Sequence, residues 1–120
     1  MKRKEICWVG SSRKDLQNFP DEVKRTMGHA LHIAQICGRY KNTKILKGFG
    51  SSGVIEIIDE DISGTYRVVY TIDMPELIFV IHVFQKKSKR GIETPKREVE
   101  LIKSRLKQAQ AMYKEIFKKK

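Results

Sequence analysis

The chain has 120 residues, enough for one domain with a single core and too few for two ordinary ones. Its formal net charge is +11, from 25 Lys and Arg against 14 Asp and Glu, which points to polyanions as partners: nucleic acid or the ribosome first, an anionic membrane surface second. No run approaches the roughly 20 apolar residues of a membrane span, the start MKRKEICWVGSS carries only a short apolar patch, and Cys7 and Cys37 lack any CxxC or Cys/His ligand spacing. The expectation is therefore a cytoplasmic protein without membrane association, secretory leader, metal or cofactor, its two cysteines being buried thiols.

In chain order, Glu5 to Val9 is a short strand ended by Gly10. Ser12 offers a side-chain acceptor for a helix N-terminus, with Asp15 three residues on as a weak capping box, and Leu16 and Phe19 give that helix an apolar edge. Pro20 suits the first turn of a second helix, where its missing N–H has no intrahelical partner, and Asp21 and Glu22 complement the dipole. Val23, Met27, Ala30, Ala34 and Cys37 then recur at spacings of three and four, one helical stripe that stops near Gly38. His29 and His32 on this helix lack a third ligand, so they read as exposed or half-exposed helix residues.

Asn42 to Gly53 is a loop with an extended piece at Ile45 to Lys47; its three clustered glycines have neither the GxxxxGK[ST] order nor a following helix, which excludes a phosphate loop. Val54 to Ile58 is a strand with Glu56 among its apolar residues, and Asp59 to Gly64 is an acidic turn. Thr65 to Ile72 alternates, with Tyr66, Val68, Tyr70 and Ile72 on one face and Thr65, Arg67, Val69 and Thr71 on the other, so Arg67 is expected to stand out on the polar side of the sheet. After the turn Asp73-Met74-Pro75-Glu76, Leu77 to Phe84 is apolar except for His82, the pattern of a strand covered on both faces. Phe84 and Lys86 continue the face of His82, and Lys87, Lys89 and Arg90 follow with no acid before Glu93, so this strand delivers cations to one sheet edge near Arg67.

Thr94 can cap and Pro95 can open the last helix, in which Val99, Ile102, Leu106, Ala109, Tyr113 and Ile116 form one apolar stripe across Lys96 to Phe117. Its other side is mostly Lys, Arg and Gln. From Lys86 to Lys120 there are thirteen Lys and Arg against four Glu, so this end holds most of the basic excess. The fold class is α+β: an N-terminal strand and helical hairpin, an antiparallel sheet of about four strands and a basic C-terminal helix, all in one domain over residues 1–120.

The ordered runs LKGFGSSGVIEI, GTYRVVYTID and LIFVIHVFQKKSKRGIETPKREVELIKSRL resemble the phage-derived, HigB-like branch of the RelE/ParE toxin superfamily over roughly Trp8 to Leu106. The resemblance implies the toxin of a type II toxin–antitoxin system: a metal-independent mRNA endoribonuclease acting on translated mRNA at the ribosome. It also implies a cognate antitoxin, often with a helix-turn-helix domain, and a possible toxin–antitoxin hetero-oligomer. By position, the YRV arginine is Arg67 and the strand-end lysines are Lys86 and Lys87. Two family features are missing. Glu56 is followed by Ile57 and Ile58 where relatives have an E-L-R triplet, and no tyrosine follows the lysine cluster.

Metal-free RNA cleavage passes through a pentavalent phosphate with extra negative charge, which preorganised cations stabilise, and Arg67, Lys86 and Lys87 are the expected groups. Glu56 and His82 are the candidate general bases, with structural alternatives for each: Glu56 pairs with Arg67, or His82 is a satisfied core histidine. Lys47, Lys89, Arg90, Lys96, Arg97, Lys103 and Lys107 are expected to position RNA phosphates, a role without sequence information. A non-catalytic partner-binding or nucleic-acid-binding module of the same fold is the alternative.

Overall fold

The structure is a computed structural model that describes residues 3–49, 53–86 and 94–118. Five strands form one sheet in the order β1-β5-β4-β3-β2: β1 (Glu5–Trp8), β2 (Thr43–Ile45), β3 (Val54–Asp61), β4 (Gly64–Thr71) and β5 (Leu77–Lys86). Three helices accompany it: α1 (Ser12–Gln17), α2 (Asp21–Gln35) and α3 (Lys96–Phe117). The α+β class and the basic C-terminal helix are as expected. One refinement concerns β1, which joins the sheet parallel to β5, Glu5 opposite Leu77, and makes the sheet mixed. The extended piece before β3 also starts earlier, at Thr43, and pairs antiparallel with β3.

Helices lie on both sides of the sheet. Val23, Met27, Ala30 and Leu31 of α2 pack on Ile55, Ile57, Val68, Tyr70 and Ile78. Ile102, Leu106 and Ala109 of α3 pack on Val54, Val69, Phe79, Ile81 and Phe84. This two-sided cover leaves every residue of β4 buried, and it corrects the expected polar side of that strand. Thr65, Arg67 and Thr71 do share a face with Val69, but the face lies beneath α3 and not in water.

A bulge governs what β5 shows to α3. Val69 pairs with His82 while Tyr70 pairs with Val80, so β5 carries one extra residue at Ile81. Strict alternation would send His82 to the α2 side with Ile78 and Val80. With the bulge, Ile81 and His82 both face α3, and Phe84 follows them, its ring stacked on the imidazole at 5.0 Å between centroids.

Several local details depart from expectation. The N-cap of α1 is Ser11, and Ser12 is buried with Oγ donating to the Val80 carbonyl at 2.9 Å, so neither serine caps with its side chain. Pro95, not Thr94, occupies the N-cap of α3. In that helix Val99 is half-buried and Ile116 is 54% exposed; the last turn instead tucks Tyr113 and Phe117 inward, their rings 4.7 Å apart, and the Tyr113 hydroxyl donates to Glu76 at 2.6 Å. His29 and His32 are exposed, as expected. Neither cysteine is fully buried: Cys7 is half-buried and Cys37 exposed.

Cys37 closes α2. The Gly38 and Cys37 N–H groups donate to the carbonyls of Ile33 and Ala34, the paired bonds of a Schellman motif, and this puts Cys37 at φ +67°, a conformation glycine accepts more readily than any residue with a Cβ. Cys37→Gly is therefore expected to raise unfolding stability by about 0.5–1 kcal/mol, relief of strain outweighing the extra freedom of the unfolded chain. A higher urea midpoint at unchanged m-value would register it; a lower midpoint would contradict the strain argument.

Candidate functional site

Two polar clusters sit between the sheet and α3. The first centres on Glu56, directly across β2 from Lys44 and on the β3 face that α3 covers. Glu56 is fully buried and Arg67 is 2% exposed; Arg67 Nη1 donates to Glu56 Oε1 at 2.9 Å. Lys44 Nζ lies 3.5 Å from the same oxygen, and the Thr94 hydroxyl donates to Glu56 Oε2 at 3.1 Å. Thr94, read from the sequence as a helix cap, thus fastens the start of α3 to β3.

The second cluster surrounds His82, which is 4% exposed. Arg105 Nη1 lies 3.0 Å from Nδ1, and Glu98 Oε1 lies 2.7 Å from Nε2. A guanidinium can only donate, so Nδ1 accepts, the ring proton sits on Nε2, and Nε2–H donates to Glu98. Arg105 also donates to the Ile81 carbonyl and, through Nη2, to Ser11 Oγ at 3.1 Å, and Ser11 in turn donates to Asp15 at 2.7 Å. Burial is the main force pushing the His82 pKa down, and the Arg105 charge adds to it, while Glu98 pulls it up without prevailing. The imidazole is neutral at pH 7 and its lone pair is already engaged.

Among the sequence-proposed groups, Glu56, Arg67, His82 and Lys86 share the α3 side of the sheet, since Arg67 pairs with Phe84, Thr65 with Lys86 and Val69 with His82. Arg67, Glu56 and His82 lie in the interior, each bound to partners; Lys86 is half-exposed at the end of β5. Lys96, Arg97, Lys103 and Lys107 are exposed on α3, and Lys47 is exposed on the loop after β2. A groove of about 520 Å³ separates that loop from the helix and is lined by Phe49, Lys103, Leu106, Lys107 and Gln110 among others. Lys87, Lys89 and Arg90 lie outside the described residues.

From the sequence, Lys44, Glu98 and Arg105 had no part in a site and Thr94 only that of a helix cap. The available signal was the spacing of Glu98 and Arg105, two helical turns apart and therefore on one face of α3, which is how they flank a single ring. Gly10 was a second signal: at φ +58° its missing Cβ leaves room for Arg105, whose guanidinium would stand 3.0 Å from such an atom. Among the described residues no three His, Cys, Asp or Glu gather as metal ligands, and no helix is long and apolar enough to cross a membrane.

Residues 14–107 match the family model described as phage-derived protein Gp49-like (DUF891), which covers well over half of the chain. The chain belongs to this family. It is a toxin-like family related to RelE/ParE-type toxins. No curated protein and no solved structure matches the Gp49-like chain at a significant level.

Two measurements probe these clusters in the Gp49-like chain. Glu56→Ala takes the buried carboxylate away from Arg67 and is expected to cost about 3–5 kcal/mol of stability, whereas Glu56→Leu combined with Arg67→Met recovers most of the loss; equal losses in single and double variants would refute the coupling. For His82 the folded pKa lies below the unfolded value of 6.5, so between the two values the unfolded chain holds the extra proton and stability rises with pH. The contribution is complete above the unfolded value and is lost as pH falls through that window, with a slope of at most about 1.4 kcal/mol per pH unit. Urea unfolding of the wild type and His82→Gln between pH 7 and pH 5 should show a shallower slope in the variant.

Proposed function

We propose that this Gp49-like chain is the toxin of a type II toxin–antitoxin system, a metal-independent endoribonuclease that cuts translated mRNA at the ribosome. An antitoxin with a helix-turn-helix domain holds it inactive in a hetero-oligomer. Membership of a toxin-like family carries the reading, and the grouping of Lys86 with the exposed cations of α3 on one side of the sheet supports it.

With Arg67 buried, this reading gives the groups different tasks from those expected of an open site. The substrate phosphate sits over the end of β5 beside Lys86, and Lys86, together with Lys87 next to it in sequence, stabilises the negative charge that grows as the 2′-hydroxyl attacks. Arg67 and Glu56 lie beneath and hold the start of α3 through Thr94, and the neutral His82 does the same through Glu98 and Arg105. Lys47, Lys89, Arg90, Lys96, Arg97, Lys103 and Lys107 bind flanking phosphates, and Phe49 in the groove beside Lys103 and Lys107 offers a ring on which an unpaired base can stack.

One observation favours a second reading, a non-catalytic module that grips RNA or a protein partner: the central cation and both candidate bases are engaged and buried. Expression of the chain in a bacterium, alone and beside its genomic neighbour, separates the two. The nuclease reading expects growth arrest and cut transcripts in the solo culture, rescue by the neighbour, and a roughly 10²–10³-fold fall in cleavage rate on removal of one strand-end lysine. Arrest with intact transcripts would support the binding module instead. Normal growth with uncut transcripts would sink the toxin reading altogether.

A further inference from the structure

On the side of the sheet away from α3, a cavity of about 360 Å³ opens where β1, the end of α2 and the end of β4 meet. That volume falls in the range of small-molecule sites. Lys4, Cys37, Arg39 and Tyr70 contribute to its wall, and no acidic residue among those described does.

Three of these residues carry side-chain donors. Tyr70 is 1% exposed and its hydroxyl makes no hydrogen bond to the other described residues, yet its oxygen is not sealed from solvent. Burial pushes its phenol pKa up and the positive charge of Arg39 opposes that push, which sets the hydroxyl in the field of the guanidinium. Arg39 is fastened through Nε to Thr43 Oγ1 at 2.9 Å, so the two terminal nitrogens of its fork remain for a ligand. Lys4 is pinned to the helix end by its backbone, its N–H donating to Gln35 at 2.9 Å and its carbonyl accepting from Gln35 Nε2 at 2.7 Å. Its ammonium reaches the Met74 carbonyl at 3.5 Å, a long contact that leaves further N–H donors.

The neighbouring helix end would oppose an anion if its carbonyls were open. They are closed: Ile33, Ala34 and Gln35 accept from the N–H groups of Gly38, Cys37 and Lys4. Positive charge, a hydroxyl with no protein partner among the described residues and a helix terminus with its carbonyls occupied therefore meet in one cavity. We infer that this cavity binds a phosphate group, with the Arg39 fork, the Lys4 ammonium and the Tyr70 hydroxyl each donating to its oxygens. A phosphate offers its non-bridging oxygens to these donors, three in a monoester and two in a backbone diester, each able to accept more than one hydrogen bond. The phosphate belongs to a small molecule or to an RNA backbone; the site does not depend on the nuclease reading, because it lies on the other face of the sheet.

The test titrates the purified chain with inorganic phosphate against sodium chloride of equal ionic strength, reading thermal stability and calorimetric heat. Phosphate should raise the melting temperature where chloride does not. Tyr70→Phe, which keeps the ring in the core, and Arg39→Gln should each weaken phosphate binding by roughly 10–100-fold while their melting temperature in chloride shows that they fold. Arg25→Gln, an exposed charge change elsewhere on α2, should bind as the wild type does. Equal phosphate affinity in wild type, Tyr70→Phe and Arg39→Gln, or no response beyond that of chloride, overturns the inference. A second arm adds a short single-stranded RNA: competition by phosphate together with weaker RNA binding by Arg39→Gln identifies the backbone as the source. RNA binding unaffected by either assigns the cavity to a free phosphorylated compound.

Discussion

A guanidinium and a carboxylate share the space between the sheet and the last helix, and neither could be there alone. Desolvating Arg67 or Glu56 singly would cost several kcal/mol, more than one interaction elsewhere returns. Together, with Lys44 and the Thr94 hydroxyl also reaching the carboxylate, they form a polar patch inside an apolar layer. Such a patch contributes less to stability than to geometry. It favours one arrangement, and that arrangement sets where α3 begins relative to β3 and β4.

The His82 cluster repeats the device further along the same helix. One ring is gripped from both sides by α3, Glu98 below and Arg105 above, and Arg105 continues to the loop before α1. Helix, central strand and opening loop are thereby joined through one imidazole, and the register of α3 is specified twice by polar contacts where hydrophobic packing alone would tolerate sliding. The cations exposed on that helix inherit this register, so whatever polyanion they meet is met by a rigid comb of charges.

Much of this was legible in the residues. The spacing of apolar positions placed α3 at Lys96–Phe117 and the strand pairs close to their observed bounds, because strong periodicity survives any tertiary arrangement. Arg67 was misjudged for an equally physical reason. Thr65, Arg67 and Thr71 give β4 a polar-looking row, and alternation reports only that a row exists, not whether a helix covers it. The bulge was invisible as well, since one extra residue in an apolar run changes no composition, yet it decides which helix His82 meets. Four-residue β1 could be read as a strand but not assigned a neighbour, as its partner lies far along the chain.

That separation has a consequence for how the molecule is made. During synthesis β1 leaves the ribosome well before β5, and Glu5 must wait until Leu77 has been translated before its backbone finds a mate. Until then Ile6 and Trp8 travel as an unshielded edge, a template for mispairing with other nascent chains. Closure of the sheet at this margin is a late event, paid for in chain entropy by a loop that embraces most of the polypeptide, so folding is paced from the first strand although the last helix holds most of the charge.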